Sequence, residues 1–327
     1  MNRSGRAQEA SSRIDTNAGF ARNPRGQMSE VSRSLFLSLS DVNYTCPFVP
    51  AEWIAAHGLK PNRIRPSGDS SDVRAGLCPY VHRFLQTACG TGDACAVVVT
   101  TVCDQMRRGA ELIRCECDTP LFLMNVPATW QNANAWGLYR SELVRFGRFL
   151  EGVGGVRPSK EDLAECMVEY EAGREVTRAA RLDAKGVPVA LLGGPMTDAD
   201  MEVFRILEKC GGGVVLDGTE DGERTLPARF NRRGLRDDPV QELVDAYFGS
   251  IPDPFRRPNS MLYMWLKESL ARSGARGVIL LRHVWCDNWH AEVDRLRDWL
   301  EIPLVDVVLG AGSAVQHRIE AFVEAIG

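Results

Sequence analysis

ACAVVVTTVCDQMRR, residues 94–108, and GVILLRHVWCDNWHAEV, residues 277–293, decide the fold by their pattern. Each opens on a short apolar run rich in β-branched residues, without strict alternation, as expected of a strand buried on both faces. Each run then meets a cysteine followed by aspartate, Cys103-Asp104 and Cys286-Asp287, and a polar stretch of helical character. A strand feeding a helix through a cysteine, twice in one chain, puts two thiols at the carboxyl edge of parallel sheets. Open α/β folds bind ligands at that edge. A third cysteine, Cys78 in GLCPYVHRFL, stands near the first turn of another predicted helix. Three thiolates converging there would leave a metal centre one ligand short, with a position open for substrate.

The bulk properties agree with a soluble α/β protein. The chain has 327 residues, 44% hydrophobic and 25% charged, enough for two ordinary domains. A formal net charge of -4 gives no electrostatic footprint for nucleic acid. No stretch approaches the apolar length of a membrane span. The first thirty residues carry Arg3, Arg6, Arg13, Arg22 and Arg25 but no apolar run of a signal peptide, so a cytoplasmic location is expected. There the ten cysteines are not expected to form a disulfide framework. Metal binding or redox chemistry is the alternative to inert buried thiols, and the latter reading suits Cys166 and Cys210.

Outward from the two quoted stretches, the chain divides into four parts. Residues 1–33 are polar and aperiodic and read as a disordered tail. Residues 34–130 read as a first α/β domain: SLFLSLS as a strand, PAEWIAAHGL as a helix, then the Cys78 helix, the strand before Cys103 and PLFLMNVP as a strand. Residues 131–185 read as a helical connection, its second helix opening on Ser159 with Asp162 three residues on, an acidic capping box. Residues 186–327 alternate strands and helices as a second α/β domain. The predicted architecture is two Rossmann-like parallel-sheet domains joined by a helical segment.

Other candidate motifs are weak. LLGGPMTD, residues 191–198, follows a strand and precedes a helix, but it lacks G-x-G-x-x-G and the P-loop Lys-Ser/Thr pair and reads as a tight turn. Cys89 to Cys95 could set two thiols on one loop, and Cys115 and Cys117 have a C-x-C spacing without a second pair at zinc-finger distance. His283 and His290 flank Cys286, and either could hydrogen-bond a sulfur or a carbonyl. Glu52, on the first predicted helix, could accept a proton if that helix faces the cysteines; a solvated helix carboxylate is the competing reading.

Five segments, in order, carry a resemblance: CPFVPAEWIAAHGLKPNRIRP from Cys46, CPYVHRFL from Cys78, VVVTTVCDQMRR, ARGVILLRHVWCDNWHAEVDRLRDWLEIPLVDVV, and AVQHRIEAFVEAI with Gln316, Arg318 and Glu320 to Phe322. Together they resemble the iron–sulfur subunits of the 2-hydroxyacyl-CoA dehydratase and benzoyl-CoA reductase family, over most of residues 34–327. The resemblance implies a 4Fe-4S cluster held by Cys78, Cys103 and Cys286, with the fourth iron site open to a thioester carbonyl. Thiolates suit such centres by their softness. It further implies a lyase that eliminates water from a 2-hydroxyacyl-CoA through a ketyl radical, a related second subunit forming a heterodimer, and an ATP-dependent iron–sulfur activator protein. The absence of a nucleotide loop matches that division of labour. Benzoyl-CoA reductase-like or double-cubane reductase chemistry, and an electron-relay subunit without substrate chemistry, stay open, as does a non-catalytic protein with structural cysteines. The region after Cys103 is shorter than usual for the family, and GSIPDPFRRPNS only partly matches the usual segment before the last strands.

Overall fold

A computed structural model describes residues 40–67, 74, 76–90, 94–179, 185–310 and 312–327. The expected tail and all but Ser40 of the expected first strand lie outside the described residues. Eight strands form two four-stranded sheets, all parallel, flanked by helices. The first sheet has β1 (Asp41–Tyr44), β2 (Lys60–Arg63), β3 (Ala94–Thr100) and β4 (Leu121–Met124) in the order β2-β1-β3-β4. The second has β5 (Val187–Gly193), β6 (Gly212–Gly218), β7 (Gly277–Arg282) and β8 (Leu304–Val308) in the order β6-β5-β7-β8. The two sheets therefore share one topology. In each, the strand order reverses beside the first strand, so each has a topological switch point there.

The buried strands explain the unbroken apolar runs. Along β3, Ala96 and Val98 belong to one core while Val97 and Val99 belong to another on the opposite face. Along β5, Val189 and Leu191 face one core, Ala190 and Leu192 the other. Side chains alternate across a strand, so a sheet covered on both faces needs apolar residues at every position. β2 is the exception. Its sequence KPNR has no apolar pattern, and it lies at the sheet edge, where Pro61 is tolerated because no neighbour needs its missing N–H.

Two helices, α1 (Ala51–Ala56) and α2 (Pro79–Gly90), precede β3, and α3 (Asp104–Glu116) follows it. The expected connection is α4 (Ala133–Gly152) and α5 (Lys160–Ala179). Asn132 caps α4 by accepting from the Ala135 N–H at 2.8 Å, and Ser159 and Asp162 form the anticipated cap of α5. α4 packs onto the first sheet through Tyr139, Leu143, Phe146 and Leu150. The same core takes Phe230, Leu235, Leu243, Phe248 and Phe255, which come after β6 in the chain. These belong to or flank α7 (Arg232–Asp237) and α8 (Pro239–Leu243). The chain thus crosses back to the first unit between β6 and β7. Around the second sheet lie α6 (Glu202–Lys209), α9 (Ser260–Ser273), α10 (Asp287–His290), α11 (Val293–Trp299) and α12 (Ser313–Ile326). Among the described residues no helix is long and apolar enough to cross a membrane.

One cysteine pair departs from the expectation of free thiols. Cys89, near the end of α2, is disulfide-bonded to Cys117, just past α3. Cys89 is therefore on a helix and Cys95 on strand β3, rather than both on one loop.

Candidate functional site

The two switch points face a common cleft of about 700 Å³, counting its open mouth. Thr45 and Cys46 enter it from just after β1, and Thr100, Val102 and Cys103 from the end of β3. Pro195 enters from after β5, Glu220 from after β6, and His283, Trp285 and Cys286 from after β7. Cys78 joins them from immediately before α2. The cleft thus brings Cys78, Cys103 and Cys286 together from both units.

Local backbone explains how Cys286 gets there. Trp285 has φ 68°, the left-handed region, and is the only non-glycine among the described residues to adopt it. That kink lets the chain leave β7 and open α10 on Cys286 within a few residues. Gly194 packs against the same spot: a Cβ there would stand 3.1 Å from Trp289 Cδ1 and 3.7 Å from Cys286 Sγ. The Gly-Gly-Pro turn is thus a tight turn in which Gly194 lies against the cysteine corner and Pro195 lines the cleft.

Burial shapes the electrostatics. It raises the Cys78 thiol, raises Cys103 to about 11 with nearby Cys78 adding, and raises Cys286, with Cys103 and Cys78 adding. The three thiols feel one another, as groups sharing a small space do. Cys46 is also raised, to about 12, first by burial and then by Glu220. Asp253 adds to this, and Glu220 also acts on Cys103 and Cys286, so Cys46, Cys103 and Cys286 share that carboxylate's field. Among the described residues no three His, Cys, Asp or Glu side chains stand close enough to hold a single metal ion.

Polar bonds seam the units around the cleft. Arg83 on α2 donates to Thr197 Oγ1 at 2.7 Å, and the Thr197 hydroxyl donates to Asp200 Oδ2 at 2.6 Å. His283 Nε2 lies 3.4 Å from the same carboxylate oxygen, and burial lowers the imidazole's proton affinity. On another side Arg63 donates to the Glu220 carbonyl at 2.8 Å and pairs with Asp221 at 3.7 Å. His290, by contrast, is exposed and does not line the cleft.

Glu52 does not line the cleft either. It is fully buried, ion-paired with Arg174 of α5, and accepts a hydrogen bond from the Tyr247 hydroxyl at 2.6 Å. Neither the solvated carboxylate nor a carboxylate facing the cysteines describes it. It ties α1 to α5 and to the segment after α8.

The family model for the 2-hydroxyglutaryl-CoA dehydratase D-component matches residues 46–185 and 179–326. The chain belongs to this family. Both matches span the D-component's α/β units described above, and the carboxyl edges of both sheets meet at the cleft. Membership of this family makes the chain a dehydratase-type component, of a kind that works with a partner component. No curated protein matches it. Two solved structures align at length. One is a mutant laminin-binding adhesin (Lmb) of Streptococcus agalactiae, at 11% identity and TM-score 0.24, covering 89% of this chain and 100% of that one. The other is SsGBP in complex with GDP, at 10% identity and TM-score 0.24, covering 88% and 98%. Scores this low carry no argument about the D-component.

Beside Asp253, a carboxylate that does line the cleft is Glu220, which the sequence alone does not single out. It sits in TEDGER, an acidic run indistinguishable from a solvated loop except that it follows a strand's carboxyl end. Burial raises its pKa from 4.5 to about 7, opposed first by Arg63 and assisted by Asp253. Between those values the folded chain holds a proton that the unfolded chain has lost, so stability falls as pH rises through that window. The shift corresponds to about 3 kcal/mol, and partial exposure discounts it to on the order of 1–2 kcal/mol. Glu220→Gln is expected to stabilise the chain by that amount at pH 8 and to be neutral at pH 4. Urea unfolding at both pH values checks this; equal effects at the two would contradict it.

Proposed function

We propose that this D-component is the iron–sulfur subunit of a 2-hydroxyacyl-CoA dehydratase-like enzyme. The observation that supports this most is the convergence of Cys78, Cys103 and Cys286, from both units, on one cleft at facing switch points. The donor set fits a 4Fe-4S cluster. Three thiols are the soft ligands such a centre takes. When bound, such a cluster supplies and takes back one electron at a thioester carbonyl, which makes the unactivated C3 proton of a 2-hydroxyacyl-CoA removable.

The chain's own residues do the rest. Val81, Val102, Met106 and Trp289 line the cleft with the three thiols and limit the entry of water. Glu220, which lines the same cleft as the three thiols, takes the C3 proton once the C2 hydroxide has left and passes it to that hydroxide, so that water is the product. A base held near neutral suits this transfer at physiological pH. Val284 and Trp285 are exposed apolar residues beside the cleft, 41% and 54% accessible, and offer a contact for the second subunit or for an ATP-dependent activator.

Cys46 favours a second reading. As a fourth thiol lining the cleft it could close the open position and make the chain an electron relay. Titration of the anaerobically reconstituted chain with a 2-hydroxyacyl-CoA separates the two. Substrate chemistry predicts a change in the cluster's electron paramagnetic resonance signal. An unchanged signal at saturating acyl-CoA would remove substrate chemistry from this chain.

A further inference from the structure

The two Cys-Asp steps share one more residue type. Two places after each cysteine stands a carboxamide: Gln105 after Cys103 and Asn288 after Cys286. Neither amide side chain turns to its own helix. Gln105 Oε1 accepts the backbone N–H of Cys78 at 2.9 Å, and Asn288 Nδ2 donates to the Val102 carbonyl at 3.2 Å. Val102 directly precedes Cys103. The bonds therefore form one chain, from the Cys286 corner to the Cys103 corner to Cys78. The Asn288 link crosses between the two α/β units, and the Gln105 link joins α3 to the start of α2.

We propose that Gln105 and Asn288 are positioning residues that hold the three thiols in one constellation before any metal enters. This rests on reading the thiols as iron ligands. The physical argument is preorganisation. Each thiol stands where a strand or loop passes into a helix, and Cys103 and Cys286 belong to different units. Without cross-links, binding must fix three independent segments at once, and that ordering cost comes out of the affinity. Each amide bond acts on the backbone beside a thiol and leaves the sulfur free. Outer partners of this kind typically govern metal retention by 10–100-fold. The pairing of types is also specific. Gln105 is used as an acceptor and Asn288 as a donor, so the two positions respond oppositely to conversion into a carboxylate.

The test uses the full chain, reconstituted anaerobically with ferrous iron and sulfide and then challenged with an iron chelator. Gln105→Met and Asn288→Leu are expected to release iron about 10-fold faster or more than the unsubstituted chain. Gln105→Glu keeps an oxygen acceptor for the Cys78 N–H and is expected to release iron at the unsubstituted rate. Asn288→Asp loses the donor and is expected to behave like Asn288→Leu. Gln105→Met leaves the part-buried Cys78 N–H unpaired, so its metal-free unfolding midpoint is expected to fall slightly, and Gln105→Glu is expected to keep its midpoint. Equal release from Gln105→Met and the unsubstituted chain would overturn the proposal. So would equal weakening by Gln105→Glu, or a return of Gln105→Met to the unsubstituted release rate once a stabilising osmolyte restores its midpoint, which would mark a general structural role. If the unsubstituted chain takes up no iron and sulfide, the ligand reading itself falls and this inference with it.

Discussion

Arg224→Met is expected to cost the chain about 3–5 kcal/mol, the scale at which removing one partner exposes a buried charge. Arg224 is fully buried between the second sheet and the cleft. Its guanidinium pairs with Asp253 at 3.0 Å and donates to the carbonyls of Gly218 at 2.9 Å, Pro252 at 2.7 Å and Gly193 at 3.2 Å. It also lies 5.2 Å from the ring of Trp289, which packs beneath the Cys286 corner. One side chain thus joins the ends of β5 and β6 to the segment returning from the first unit. Methionine keeps the stem and removes every donor. It leaves the Asp253 carboxylate, 6% exposed, without its direct ion-pair partner, and three carbonyls without the donor they share. Domains are typically stable by only 5–15 kcal/mol, so the variant is expected to stand near its folding threshold. Urea unfolding of Arg224→Met, Asp253→Leu and the double variant measures it. The double variant should recover part of the loss, because it removes the orphaned charge. A cost below 1 kcal/mol for Arg224→Met would contradict the hub role.

Much of the fold was legible because the decisive strands are buried on both faces. β3, β5 and β7 read as continuous apolar runs, and each of β3 and β7 ends at a Cys-Asp step, so the sequence pointed to the sheet edges and to both thiols there. The Ser159–Asp162 cap was visible for the same local reason. What escaped was long-range. β2 carries Pro61 and no apolar pattern, since an edge strand needs neither a full ladder nor two covered faces. Glu52 finds its cation 122 residues away in Arg174, and no local spacing announces such a pair. The segment Phe230–Phe255 lies in sequence within the second α/β stretch but packs into the first core, because its aromatic side chains meet α4 there. Cys89 and Cys117 are 28 residues apart and meet only because α2 and α3 run side by side on one face of the first sheet. Glu220 was hidden by its acidic neighbours, although its place after β6 was the available signal.

The second large effect concerns the cluster ligands. Cys286→Ser is expected to lower iron content severely. A hydroxyl is a poor substitute for a thiolate on iron, and one of only three protein ligands would be lost. Cys210 provides the comparison. It ends α6, its thiol donates to the Leu207 carbonyl at 3.3 Å, and it does not line the cleft. Cys210→Ser is expected to hold iron as the unsubstituted chain does.

Iron and sulfide analysis of the anaerobically purified chain, with electron paramagnetic resonance of the reduced protein, tests the central claim most directly. The account predicts a brown protein with about four iron and four sulfide per chain, a fast-relaxing cluster signal, and loss of both in Cys286→Ser but not in Cys210→Ser. A colourless, iron-free protein of unchanged stability, or equal iron in the two variants, would contradict it.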